Sequence, residues 1–115
     1  MASDYKSIAS KIKFEGRAFI DGKYVDAIDG EKFENINPAT GDKLCTVSKC
    51  NHKDVDLAVK VSRKAFNSGV WSRTSPEFRK DVLLKFAELL RKHGEENSVL
   101  ECIDTGKLIG DCINE

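Results

Sequence analysis

The run KLCTVSKCNHKDVDLAVKVSRKAFNSG, residues 43–69, changes period at Cys50. Up to Cys50 it has the β-prone content of a strand. Beyond it, Val55, Ala58, Val59, Ser62, Ala65 and Phe66 recur on one face of a 3.6-residue repeat, which predicts an amphipathic helix. Asn51 can accept from the exposed amides of the first turn, and Asp54 stands at the third helical position. Asn67, Ser68 and Gly69 end the helix. Strands therefore belong before residue 51 and helices after it.

Toward the amino terminus, RAFIDGKYVDAIDG (residues 17–30) places Asp21-Gly22 between two β-prone runs. That dipeptide supplies the two positive φ angles of a two-residue hairpin turn. Asp29-Gly30 marks a second reversal, and NPATGD (residues 37–42) a third. Residues 17–50 read as a small β-meander. Residues 1–13 are polar and show no sustained period, so they read as a loosely held arm, with order starting near Phe14.

Toward the carboxyl terminus the start signal is strong: Ser75 as N-cap, Pro76 at the first helical position, and Glu77 at the positive end of the dipole. Val82, Leu83, Phe86, Leu89, Leu90 and His93 form the stripe, and Gly94 is placed to close the helix in the left-handed conformation. A third helix is predicted over residues 95–104, stopped by Gly106. Asp104 then faces the negative end of its own helix dipole, which costs a few tenths of a kcal/mol unless a cation answers it. Lys107 can be that cation; otherwise Asp104 takes part in an ion site or holds a neighbouring loop. LIGDCINE (residues 108–115) begins a fourth helix with no stop signal. A meander and a helical layer over residues 51–115, each element with one apolar face and no central sheet to receive it, read as an incomplete domain.

The chain has 115 residues, enough for one domain covering roughly two-thirds of the surface its unfolded chain exposes. Nineteen Lys and Arg balance nineteen Asp and Glu, which gives no positive excess to draw nucleic acid or an anionic membrane. No run approaches the ~20 apolar residues of a membrane span, and the first residues lack a signal peptide's apolar core; the expectation is a soluble, cytoplasmic protein. In that compartment Cys45, Cys50, Cys102 and Cys112 are expected as thiols. Cys45, Cys50 and His52 are too loosely spaced for a structural zinc site. The Thr105-Gly106-Lys107 triplet is not a phosphate loop either: Glu101 stands where its first glycine belongs, and Leu108 where a hydroxyl residue belongs.

In order, FIDGKYVDA (19–27), FENINPATGDKLCTVSKC (33–50), DVDLAVKVSRKAFNSGVWS (54–72), RKDVLLKFAELLRKHGEE (79–96) and LECIDTGK (100–107) resemble the opening of an NAD(P)-dependent aldehyde dehydrogenase. The resemblance covers nearly everything from Phe19 to Lys107, with Leu108 where that family usually has proline. FNSGVWSRTSPEFRK (66–80) is most similar to members acting on amino- or γ-glutamylamino-aldehydes and betaine aldehyde. The resemblance implies an α/β fold, here the amino-terminal part of a Rossmann-like cofactor-binding domain. It implies oxidation of a small aldehyde to a carboxylic acid with NAD or NADP, through a cysteine thiohemiacetal and thioester, commonly in a homo-oligomer. The family's nucleophile lies in a Gly-Gln-x-Cys context that none of the four cysteines matches, and its Gly-rich dinucleotide turn is absent too. No catalytic or cofactor-binding residue is therefore expected here.

One family site does map onto this sequence. Many members bind a monovalent cation through a residue two before the Asn-Pro, the backbone carbonyl of the next residue, and the aspartate of the Asp-x-Gly-Lys ending; these correspond to Asn35, Ile36 and Asp104. Two functional expectations follow. The chain is an inactive amino-terminal fragment of an aldehyde-oxidising enzyme, or it is a non-catalytic binding module derived from that family which attaches to a partner through its uncovered apolar faces.

Overall fold

The computed structural model describes residues 4–114. Helix α1, Tyr5–Lys11, opens the chain; the Asp4 carboxylate accepts from Ser7 N at 3.1 Å. It forms within the stretch read as a loosely held arm and packs against the helix that begins at Gly94. Seven residues are too few to display a helical period, so only the capping aspartate marked it.

Strands β1 (Ala18–Ile20) and β2 (Lys23–Val25) pair antiparallel, with Ile20 opposite Lys23. Asp21 at φ 56° and Gly22 at φ 74° make the turn between them. Both angles are positive, as the two-residue hairpin requires. Phe19 and Tyr24 meet edge to face across the pair at 5.1 Å.

Strands β3 (Lys32–Ile36) and β4 (Lys43–Ser48) form a separate two-stranded sheet, so the expected meander divides in two. The reason lies at residues 26–30. Gly30 N donates to Ala27 O at 2.8 Å to close the reversal, and Ile28 N then donates to the Asp54 carboxylate at 2.8 Å. Asp29 accepts from Asn51 Nδ2 at 2.7 Å and Lys53 Nζ at 2.6 Å. The connection is spent on a helix terminus instead of extending the β1–β2 ladder. In the β3–β4 turn, Asn37 Oδ1 accepts from Ala39 N at 2.9 Å, and Gly41 N donates to Asn37 O at 2.8 Å.

Helix α2, His52–Ser68, starts with the reciprocal cap anticipated from its sequence: Asn51 Oδ1 accepts from Lys53 N, while Asp54 Oδ2 accepts from Asn51 N at 2.9 Å. Gly69, at φ 81°, ends it. Helix α3, Pro76–Lys92, begins where Ser75 Oγ accepts from Phe78 N at 3.2 Å. Gly94 does not close α3 in the left-handed region; it opens α4, Gly94–Thr105, directly. His93, at φ −102° and ψ 15°, makes the bend alone. Its N–H still donates to Leu89 O and its carbonyl already accepts from Asn97 N, each at 3.0 Å, so both helices share one residue and need no left-handed cap.

Gly106, at φ 75°, ends α4 as anticipated, and its N–H donates to Cys102 O at 3.0 Å. Helix α5, Ile109–Asn114, packs on α4. Ser98 Oγ ties the two by bridging Gly94 O at 2.8 Å and Cys112 O at 3.1 Å, beside buried Val99.

By its contacts the chain divides into two compact units. One takes the described residues of Met1–Glu15, Glu34–Cys45 and Ala87–Glu115; the other takes Gly16–Phe33 and Thr46–Phe86. Among the described residues, the buried apolar side chains are Ala27, Val99 and Cys112. Val55, Val59 and Phe66 on α2 and Val82, Leu83, Phe86, Leu89 and Leu90 on α3, from the stripes read as having no central sheet to receive them, are exposed. No helix among the described residues is long and apolar enough to cross a membrane.

Candidate cation site and the setting of the thiols

Asp104 sits in the last turn of α4, where the dipole opposes its charge. Asn35 is half-buried on β3 and 69 positions away, and its Nδ2 donates to Asp104 Oδ1 at 2.5 Å. A hydrogen bond to a carboxylate is among the stronger ones, so Asn35 answers the conflict the sequence raised at Asp104. Lys107 Nζ, weighed above for that task, reaches Glu101 Oε1 at 2.8 Å. Ile36 is the next residue of β3. Of the three residues carried over by resemblance, the structure brings Asn35 and Asp104 into direct contact, and Ile36 follows Asn35 in the chain.

Gly106 fixes how closely α4 approaches the β3–β4 turn. A Cβ there would lie 2.9 Å from Pro38 Cγ, inside van der Waals contact. The left-handed φ and this close approach both select glycine. A hard cation takes oxygen ligands; Asp104 keeps carboxylate lone pairs, while Asn35 turns its Nδ2, a donor, toward it. Among the described residues, no three or more His, Cys, Asp or Glu side chains converge as a metal site.

A second polar knot was only half visible in the sequence. Asp54 is 3% exposed, and the N–H groups of Asn51 and Ile28 hold its carboxyl below the usual carboxylate range, against the charge of Asp29. Asp29 is lowered in turn by the hydrogen bonds from Lys53 and Asn51. The capping-box spacing signals the Asn51 bond; the Ile28 bond carries no local signal.

The four cysteines differ in exposure: Cys112 is buried, Cys45 and Cys102 are half-buried and Cys50 is exposed. No disulfide joins Cys45, Cys50, Cys102 and Cys112. Cys102 Sγ donates to Lys107 O at 3.1 Å, across the end of α4. Among the described residues, the junction from β4 into α2 does not fit the phosphates of a dinucleotide. A phosphate cradle is a glycine-rich turn from a strand into a helix N-terminus. The β4-to-α2 junction is Lys49-Cys50-Asn51, without glycine, and the α2 N-terminus is already filled by Asn51 and Asp54.

Paired strands feeding capped helices, with the polar ties in structural bonds, place the chain among mixed helix–strand proteins. It belongs to the aldehyde dehydrogenase family, whose model, described as "Aldehyde dehydrogenase family", matches residues 24–115. Aldehyde dehydrogenase 1 of Tanacetum cinerariifolium is 51% identical over 102 residues, which make up 89% of this chain and 20% of that protein. Aminoacetaldehyde dehydrogenase of Pseudomonas aeruginosa is 44% identical over 109 residues, 95% of this chain and 22% of that one. The crystal structure of an indole-3-acetaldehyde dehydrogenase in apo form superimposes with a TM-score of 0.93 at 43% identity, over 96% of this chain and 26% of that one. A corresponding enzyme complexed with NAD+ gives 0.92 at 44% identity, over 96% and 22%. The chain thus spans about a fifth of the length of the curated relatives it matches.

Proposed function

We propose that this chain is the amino-terminal, non-catalytic part of an enzyme that oxidises a small aldehyde to a carboxylic acid with NAD or NADP, and that alone it turns over no aldehyde. The observation that supports this reading is the pairing of family membership over residues 24–115 with four cysteines outside a Gly-Gln-x-Cys context and a strand-to-helix junction without a dinucleotide cradle. The similarity of residues 66–80, together with the likeness to an aminoacetaldehyde dehydrogenase, favours an amino-aldehyde as substrate of the whole enzyme. Asn35, the Ile36 carbonyl and Asp104 would hold a monovalent cation, which would add to the hydrogen bond already answering the charge at the end of α4. The complete enzyme is proposed to be a cytoplasmic homo-oligomer.

Calorimetric titration of the purified chain with NAD+ and with NADP+ tests the reading. The expected result is no saturable heat with either. Saturable binding abolished by substitution at the α2 N-terminus would overturn it.

A further inference from the structure

The hairpin region holds the tripeptide Ile-Asp-Gly twice, as Ile20-Asp21-Gly22 in the turn between β1 and β2 and as Ile28-Asp29-Gly30 at the reversal before β3. An Asp-Gly pair is chemically labile, because glycine has no side chain to keep its amide nitrogen away from the preceding carboxyl. The local sequences are matched, and both aspartates are exposed, so neither sequence nor burial separates the two pairs. Their hydrogen bonds do.

At residues 29–30 each reacting group is held. Gly30 N–H donates to Ala27 O at 2.8 Å, and the Asp29 carboxylate accepts from Asn51 Nδ2 at 2.7 Å and Lys53 Nζ at 2.6 Å. The bonds from Lys53 and Asn51 keep the Asp29 carboxyl below its ordinary range, which depletes the protonated form that ring closure consumes. At residues 21–22 neither group is held. Among the described residues, no hydrogen bond or ion pair engages the Asp21 carboxylate, and no turn or loop bond engages the Gly22 N–H. Nothing lies within 4 Å of the place a Gly22 Cβ would take. A turn that touches nothing is free to bring the nitrogen onto the carboxyl carbon.

We propose that Asp21 is a modification site, isomerising through a succinimide to isoaspartate while Asp29 stays intact. In the closing step Gly22 N attacks Asp21 Cγ. The N–Cγ bond forms, the Cγ–OH bond breaks, and the amide proton leaves with the hydroxyl as water. Water then opens the ring. Its addition at the former main-chain carbonyl gives isoaspartate, whose chain runs through Cγ, and its addition at Cγ restores aspartate. Nothing is oxidised or reduced.

The product lengthens the backbone by a methylene between Ile20 and Lys23, so the two-residue turn no longer sets those residues opposite each other. Ile20 and Val25 line a cavity of about 230 Å³ with Leu57 and Val61 of α2, and isomerisation therefore loosens the hairpin where it meets that helix.

The test incubates the folded chain at neutral pH in heavy-oxygen water, with circular dichroism to confirm that it stays folded. Trypsin then releases the two pairs in separate peptides, residues 18–23 and 24–32, and electron-transfer fragmentation assigns isoaspartate in each. Isoaspartate carrying one heavy oxygen is expected in 18–23 at about ten times the rate in 24–32 or more. In urea the two rates are expected to agree within about twofold, since the fold alone separates them. Lys53→Ala is expected to raise the rate in 24–32 roughly twofold to fivefold and to leave 18–23 unchanged. Asp21→Glu, whose longer side chain would have to close a larger ring, leaves 18–23 unmodified. Equal rates in the folded chain, a faster reaction at Asp29, isoaspartate without heavy oxygen, or a difference that persists in urea overturns the proposal.

Discussion

Gly106→Ala perturbs the junction on which the candidate cation site depends. At φ 75° an alanine pays roughly 1–2 kcal/mol for the left-handed conformation that glycine adopts without penalty. Its Cβ would also lie 2.9 Å from Pro38 Cγ, so the α4 terminus or the β3–β4 turn must shift, which adds about 1 kcal/mol of the kind seen in overpacked sites. The total is about 2–3 kcal/mol, a large part of the ~5–15 kcal/mol by which whole domains are stable. Gly22→Ala serves as the reference. Its φ is 74° and nothing lies near its Cβ, so it carries the conformational cost without the contact. The assay is thermal unfolding by circular dichroism at one fixed protein concentration for both variants, Pro38→Ala, and the Pro38→Ala/Gly106→Ala pair. Gly106→Ala is expected to lower the midpoint more than Gly22→Ala, and Pro38→Ala to recover the difference, giving a coupling near 1 kcal/mol. Equal midpoint losses for the two glycine variants, with no coupling to Pro38, would refute the claim that α4 rests on the turn after β3.

Lowering the pH should destabilise the chain through the Asp54 knot. The folded pKa values of Asp54 and Asp29 lie below their ordinary value near 4, so their contribution is present above that value and is lost as pH falls through the folded values. Asp54→Asn is expected to be less stable at neutral pH with a flatter acid limb; an unchanged acid limb in urea titrations would contradict this. Potassium or sodium should raise the unfolding midpoint of the wild type by mass action and leave Asp104→Ala unmoved, and an equal rise in both would remove Asp104 from the site. Gly16→Ala drives a Cβ into Thr46 O, where the Gly16 carbonyl accepts from Ser48 N, so hydrogen exchange at Ser48 should speed up markedly; unchanged protection would refute that close approach. The isolated chain should self-associate, with an unfolding midpoint that depends on protein concentration, since its large apolar side chains on α2 and α3 are uncovered; a sedimenting monomer with a concentration-independent midpoint would contradict this.

What the sequence made legible was local chemistry. Asn51 with Asp54, Ser75 with Pro76, Asp21-Gly22 and Gly106 each pair a residue type with one backbone geometry, and each formed as anticipated. Gly94 failed because glycine permits the left-handed conformation without requiring it, and His93 made the bend instead. The meander divided because Ile28 and Asp29 bond a helix that starts more than twenty residues later, a competition no local pattern displays. Periodicity marked α2's apolar stripe correctly as apolar but could not say what covers it, and in this chain Leu57 and Val61 line the hairpin cavity instead. At the candidate site, the charge conflict of Asp104 was readable from its place in the last turn. Its partner was not, since Asn35 lies 69 positions away on a strand.

The central claim is that this chain carries the family's fold without its chemistry, and aldehyde turnover tests it most directly. The purified chain is incubated with excess NAD+ or NADP+ and a panel of aldehydes that includes aminoacetaldehyde, while reduced nicotinamide is followed by absorbance. The account predicts no reduction above the protein-free control, and no change on replacing Cys45, Cys50, Cys102 or Cys112 by Ser. Turnover by the wild-type chain that is lost on replacing any one of those cysteines would contradict it.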